Sequence, residues 1–238
     1  MTPPSVPLSH QAEIIKLADA VSAFSATSGE RISILVEKNA LLLLHWLDYL
    51  EKYCLTQSAD CLLLSAKSSL REVDACLALG LMRPSILALR CEIDLILSWL
   101  YFKDHAVEWE HVNATGNGFK LKTELITYIG THYQKFGKRW GILSQIKKRK
   151  EEDPYKLLSA HIHLQSEHVL PALGELHELV KNADQCIDCA AAVYEVAEYL
   201  NDILICVYAD AWHALPQPLK TSIEERFITP AQRKEFFV

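Results

Sequence analysis

Arg90 and Asp94 stand four residues apart inside a stretch from Pro84 to His111, PSILALRCEIDLILSWLYFKDHAVEWEH, that is otherwise apolar on nearly every side. On a helix that spacing puts guanidinium and carboxylate on one face, together with Leu87, Leu97 and Tyr101. Charges in such a setting must be paired or must face a cavity, because unpaired burial is costly. Two readings follow. One is a structural ion pair that fixes helix register. The other is a polar pocket in which Arg90 could steady a developing negative charge.

His161 and His163 lie in LSAHIHLQSEH. On a strand, two residues apart would aim both rings the same way and suit a metal. On a helix the same spacing is a rotation of about 200°, so the rings diverge. The pattern sets His161 beside Leu157 and Leu164 at the core edge, and His163 with Ser159 and Ser166 on the wetter side. His168 returns to the face of His161 but sits about 10.5 Å further along the axis, too far to share one ion. Either imidazole could serve as acid or base; either could equally be an ordinary core-edge or surface side chain.

Metal chemistry finds weaker support. Glu108-x-x-His111 matches the Glu-x-x-His element of carboxylate-bridged metal bundles, and Asp210-x-x-His213 is its nearest counterpart, with Asp for Glu. Both fall near expected helix ends, where solvated side chains are the simpler reading. Cys186-x-x-Cys189 has no second pair spaced to complete a zinc site and no βαβ setting for redox work. No metal site and no cofactor is therefore expected. Phosphate-binding loops, the nucleophile elbow and dinucleotide fingerprints are not found.

Between Lys135 and Lys150 the chain is basic, with Phe136 and Trp140 between the charges. Lys138, Arg139, Lys147, Lys148, Arg149 and Lys150 could follow an RNA backbone while the aromatics stack on bases. Glu151, Glu152 and Asp153 follow at once, so a solvated helix end is the competing reading.

These residues need elements to hold them. Apolar periodicity predicts an all-α fold: an antiparallel bundle of about eight helices around the central apolar helix near residues 84–111. Residues 1–8, with three prolines, are read as a flexible arm, 9–213 as one helical-bundle domain, and 214–238 as a short helix and polar tail. Ser9 is placed as the cap of a helix from about His10 to Ala26, ended by Ser28-Gly29. Further helices are expected over about Glu30–Leu55 (stripe Leu35, Leu42, Trp46, Tyr49, Tyr53), Ser58–Leu81, Phe119–Tyr133, Pro154–Glu167 and Val169–Ala183, with the segment between Lys135 and Asp153 least regular. The last long helix, capped by Asp184 and running to about Trp212, has its apolar seam at Ala190, Val193, Ala197, Leu200, Leu204, Val207 and Ala211.

The net charge of −6 gives no global case for nucleic acid or a membrane surface, and no uninterrupted apolar run reaches the length of a membrane span. Seven scattered cysteines, most within helical patterns, read as small buried hydrophobes in a reducing cytoplasm. The first ten residues lack the pattern of a signal peptide.

Two stretches taken together, ALRCEIDLILSWLYF and the later Tyr155-Lys-Leu-Leu-Ser159-Ala-His161-Ile-His163, resemble bacterial helical proteins of the HEPN-like kind. The resemblance covers roughly residues 60–210. It implies a helical bundle, often dimeric, found among toxin, RNA-processing and phage-defence proteins. Active members cleave RNA without metal through an Arg-x4-6-His element. No Arg stands at that spacing before His161, His163 or His168; position 156 is Lys and position 157 is Leu. The expectation is therefore a helical interaction or accessory protein that pairs with itself or with a protein partner. The alternatives are a metal-independent ribonuclease built on His161 or His163 with Arg90 (and Asp94), and a carboxylate-bridged metal bundle.

Overall fold

The computed structural model describes residues 9–165 and 174–238. Its helices in chain order are α1 (His10–Phe24), α2 (Glu30–Tyr53), α3 (Asp60–Ala78), α4 (Met82–Phe102), α5 (Ala106–Thr115), α6 (Lys122–His132), α7 (Phe136–Gln145), α8 (Pro154–Ile162), α9 (Ala183–Tyr208), α10 (Gln217–Glu224) and α11 (Pro230–Phe237). Short 3-10 turns occupy Leu176–Leu179 and Ala209–Ala214. Among the described residues there is no strand, so the all-α expectation holds. None of these helices is long and apolar enough to cross a membrane.

Two long helices share the centre. α4 is covered by α3, α6, α8 and α9, while α2 lies across α3 and α9. Every residue of α9 from Val196 to Val207 is buried. The seam expected for this helix is therefore only part of its contact surface, and α9 rivals α4 as the most enclosed element. Burial of its Val, Leu and Ile side chains is worth roughly 1.5–3 kcal/mol each. Asn182, not Asp184, caps it: the Asn182 side chain accepts from the Gln185 amide at 2.9 Å.

The central helix is shorter than expected. It ends at Phe102, and Lys103, Asp104 and His105 turn the chain before α5. Two features fix this corner. The amides of Asp104 and His105 bond the carbonyls of Tyr101 and Phe102, and Ser58 Oγ donates to the Phe102 carbonyl at 2.8 Å. Ser58 thus ties α3's entry to α4 instead of capping α3. Asp60 takes the amides of Thr56 and Gln57 and the indole of Trp99.

Ser28-Gly29 does not break the first helix. The chain stays helical through one π-turn, Ser25–Gly29, and passes directly into α2. Gly29 is required by packing, since a Cβ there would lie 2.8 Å from the Ala78 carbonyl of α3. The buried face of α2 is Ile32, Val36, Ala40, Leu43, Trp46, Leu47, Tyr49 and Leu50. Leu35 and Leu42 sit at its edge, and Tyr53 is exposed. Cys61 is exposed too, unlike the buried Cys186, Cys189 and Cys206.

The segment expected to be irregular holds α7, whose Phe136, Arg139, Ile142 and Leu143 are buried. At the C-terminus, Thr229 caps α11 and Phe236 is buried, so these residues pack into the body instead of trailing as a polar tail. The helix expected over Val169–Ala183 falls partly outside the described residues, as do Ser166 and His168; within them its C-terminal part is the 3-10 turn Leu176–Leu179.

Candidate functional site

Arg90 projects from the middle of α4 toward α8. Its Nη1 lies 3.0 Å from Asp94 Oδ2, as the spacing of four predicts. Its Nε donates to Ser159 Oγ at 3.1 Å, its Nη2 donates to the Tyr155 hydroxyl, and the guanidinium also lies over the Tyr155 ring, 4.5 Å from the centroid. Each nitrogen of the guanidinium thus has a protein partner, although the side chain keeps some exposure. Asp94 is held above the usual carboxylate range by burial, against the pull of Arg90 and Tyr155. Lys122 of α6 closes the other side: its ammonium pairs with Asp153 at 2.6 Å and lies near the rings of Tyr155 and Tyr199. Asp153 also caps α8, with Pro154 following. The cluster is a latch that fastens the short α8 to α4 and α6.

The histidines do not join it. His161 faces an apolar cavity of about 210 Å³ together with Ile86, Leu158 and Cys189. His163 is the exposed C-cap of α8. Among the described residues no hydrogen bond links Arg90 to either imidazole. The guanidinium reaches α8 at Tyr155 and Ser159, and its hydrogen bonds go to those side chains.

The basic run divides in the same way. Lys138, Lys148 and Lys150 are exposed, and Lys147 pairs with Glu152. Arg139 and Arg149 are buried and cannot meet a nucleic-acid backbone. Arg139 donates to the carbonyls of Cys206 and Phe236 and to Asp210 Oδ1 at 2.5 Å. Arg149 donates to Asp202 and lies over Trp140 and Tyr199. The aromatics of this run pack against buried arginine and core.

Asp202 is the hub of a network that sequence reasoning missed. Arg226, from the turn after α10, places Nη1 2.5 Å from Asp202 Oδ1 and 3.6 Å from Glu198 Oε2. It also donates to the carbonyls of Ile146 and Leu143. Burial raises the Glu198 carboxyl, and Arg226 works against that rise. Nearby, Trp46 donates to Asn201 Oδ1 at 2.8 Å. Glu198, Asn201 and Asp202 interrupt the apolar run VAEYLNDILICV. That is the same signal that singled out Arg90 and Asp94, and it was available in the sequence.

Glu92 is the third charged residue of the central helix and is fully buried. Neither of its carboxyl oxygens has a hydrogen-bond partner, and burial holds the group well above the usual carboxylate range.

The proposed metal pairs are used elsewhere. Glu108 accepts from the Tyr101 hydroxyl at 2.8 Å and pairs with Lys120, while Asp210 belongs to Arg139 and Lys135. Among the described residues no group of three or more His, Cys, Asp or Glu side chains is placed to hold a metal ion. Cys186 and Cys189 are buried; burial drives the Cys189 thiol up to about 11, which suits packing and not thiolate chemistry.

No protein-family model, curated protein or solved structure matches the chain.

Proposed function

We propose that this chain is a helical interaction protein that pairs with a second copy of itself through α1. Its resemblance to HEPN-like proteins suggests an accessory role in a bacterial toxin or phage-defence system. One observation carries the reading: α1, a helix of 15 residues, has no buried residue. A lone helix of that length is marginal in water, so its stability must come from packing. One side is clamped by the Leu176–Leu179 turn and by the Lys16–Glu175 ion pair at 2.9 Å. The opposite side is free of charge across Gln11, Ile14, Ile15, Ala18, Ser22 and Ala26, and Ile14 and Ile15 are 56% and 53% exposed.

That face is shaped for its own kind. Its large side chains are at the N-terminal end. Its small ones, Ala18, Ser22, Ser25 and Ala26, border an open groove closed by Leu79. An antiparallel pair about a two-fold axis would lay the isoleucines of one copy in the groove of the other, about 12 Å along the helix. The commitment of Arg90 to Asp94, Tyr155 and Ser159 favours this reading over the ribonuclease.

Light scattering during gel filtration tests it. The wild-type chain is expected to run as a dimer, and Ile15→Asp or Ser22→Arg as a monomer with unchanged helical circular dichroism. A wild-type monomer at high micromolar concentration, or a dimer untouched by both substitutions, overturns it. Metal-independent RNA cleavage that is lost in His161→Ala or His163→Ala would replace it with the ribonuclease reading.

A further inference from the structure

The cavity that His161 faces lies where α4, α8 and α9 meet, with a volume of about 210 Å³. Its walls are apolar. Ile86 comes from the opening turns of α4, and Leu157 and Leu158 come from α8. On α9 the lining positions include Cys189 and Ala192, side chains too small to fill a junction of three helices. Burial keeps the Cys189 thiol protonated, so it belongs to the apolar wall. An engineered protein cavity of roughly 150 Å³ with aliphatic walls takes up benzene. The present one therefore has room for one ring or a short branched chain, and it falls below the roughly 300–1,000 Å³ of sites for drug-sized molecules.

The rim is polar. Gln185 and Asp188 share a face of α9 and are exposed there, while His161 lines the cavity from α8. Gln185 gives its backbone amide to the Asn182 cap, and among the described residues the side chains of Gln185, Asp188 and His161 enter no hydrogen bond within the protein. Asp188 is the one carboxylate of the lining, and no Lys or Arg lines the cavity. An entering acid would meet Asp188 with no fixed counter-charge; a hydroxyl or an amine would donate to it. His161 is the remaining group that could offset Asp188, as an imidazolium in acid, so alkaline conditions isolate the carboxylate.

We infer that this cavity binds a small apolar alcohol or amine, its body against Ile86, Leu158 and Ala192 and its donor end at Asp188 and Gln185. None of the described lining residues belongs to α1, so the site is separate from the pairing face. A few polar groups at the rim of an apolar pocket orient a ligand whose affinity comes from its buried body.

Methyl NMR of the intact chain at pH 8 tests the inference, with benzyl alcohol, benzylamine and benzoate as probes of one shape. The alcohol and the amine are expected to shift the Ile86 and Leu158 methyl signals, and benzoate to bind at least about tenfold more weakly. Asp188→Lys, at an exposed position, should reverse the order of benzylamine and benzoate. Ala192→Phe fills the cavity and should abolish the shifts; the Asp188 variant keeps the test valid if that one folds poorly. No shift from either the alcohol or the amine at about 10 mM overturns the inference. So does benzoate bound as tightly as the amine, an order of the two unchanged by Asp188→Lys, or shifts that survive in a folded Ala192→Phe.

Discussion

Arg226 Nη1 lies 2.5 Å from Asp202 Oδ1, so a residue near the C-terminus is bound to the most enclosed part of α9. Arg149 holds the other oxygen of the same carboxylate. Asp202→Asn would leave two buried guanidiniums sharing a neutral amide. The expected loss is about 3–5 kcal/mol, seen as a lower urea midpoint. A loss below about 1 kcal/mol would mean that the network contributes little to folding.

The Arg90 latch gives a graded pair of outcomes. Tyr155→Phe keeps the ring under the guanidinium and removes only its hydroxyl partner, and is expected to cost about 1 kcal/mol. Arg90→Ala also strands the largely enclosed Asp94, and should cost about 2 kcal/mol. Hydrogen exchange should show the loss of protection in α8 first, since the latch holds that helix to α4 and α6. Equal effects of the two substitutions would argue against the assigned geometry.

Glu92 makes stability depend on pH in the opposite sense to a salt-bridged carboxylate. Its folded pKa lies well above its unfolded value, so the native state binds the extra proton between them. Stability from this group is complete below the ordinary carboxylate range and is lost as pH rises toward the folded pKa. Glu92→Gln keeps a neutral side chain at every pH. The variant should therefore gain stability relative to wild type as pH rises from 4 to 8. A difference independent of pH would show that Glu92 titrates normally.

Gly80 controls how α1 is clamped. Its φ of +78° is left-handed, and a Cβ would come within 2.7 Å of Val180 Cγ1 and 3.2 Å of the Phe24 ring. Its carbonyl accepts from the Lys181 amide at 2.9 Å. Gly80→Ala is expected to cost about 1–3 kcal/mol. It should also speed limited proteolysis of α1 well beyond that of α4. Cleavage rising equally in both helices would place the effect in the whole fold.

Much of this was legible locally. The absence of strand alternation, the Ser9 cap and the long seam of α9 follow from neighbours within a few turns. The spacing of Arg90 and Asp94 put them on one face, and the structure chose their ion pair over the pocket that the same spacing allowed. The divergence expected for His161 and His163 assumed one continuous helix, whereas α8 ends at Ile162 and His163 lies just beyond it. The chain also marked Glu198, Asn201 and Asp202 as polar groups in apolar company, although not their partners.

Tertiary structure decided which charges are sealed and which are wet. Glu92 and Asp94 are two residues apart on one helix, yet one is buried without a partner and the other joins a latch. Arg149 stands among exposed lysines in sequence, but its carboxylate lies 53 residues away on α9. The end of α4 at Phe102 depends on Ser58, 44 residues earlier. Periodicity reports which face of a helix is apolar; it carries no information about what covers that face. Among the described residues, the exposed side of α1 and the partnerless carboxyl of Glu92 are both set by how distant segments pack around them.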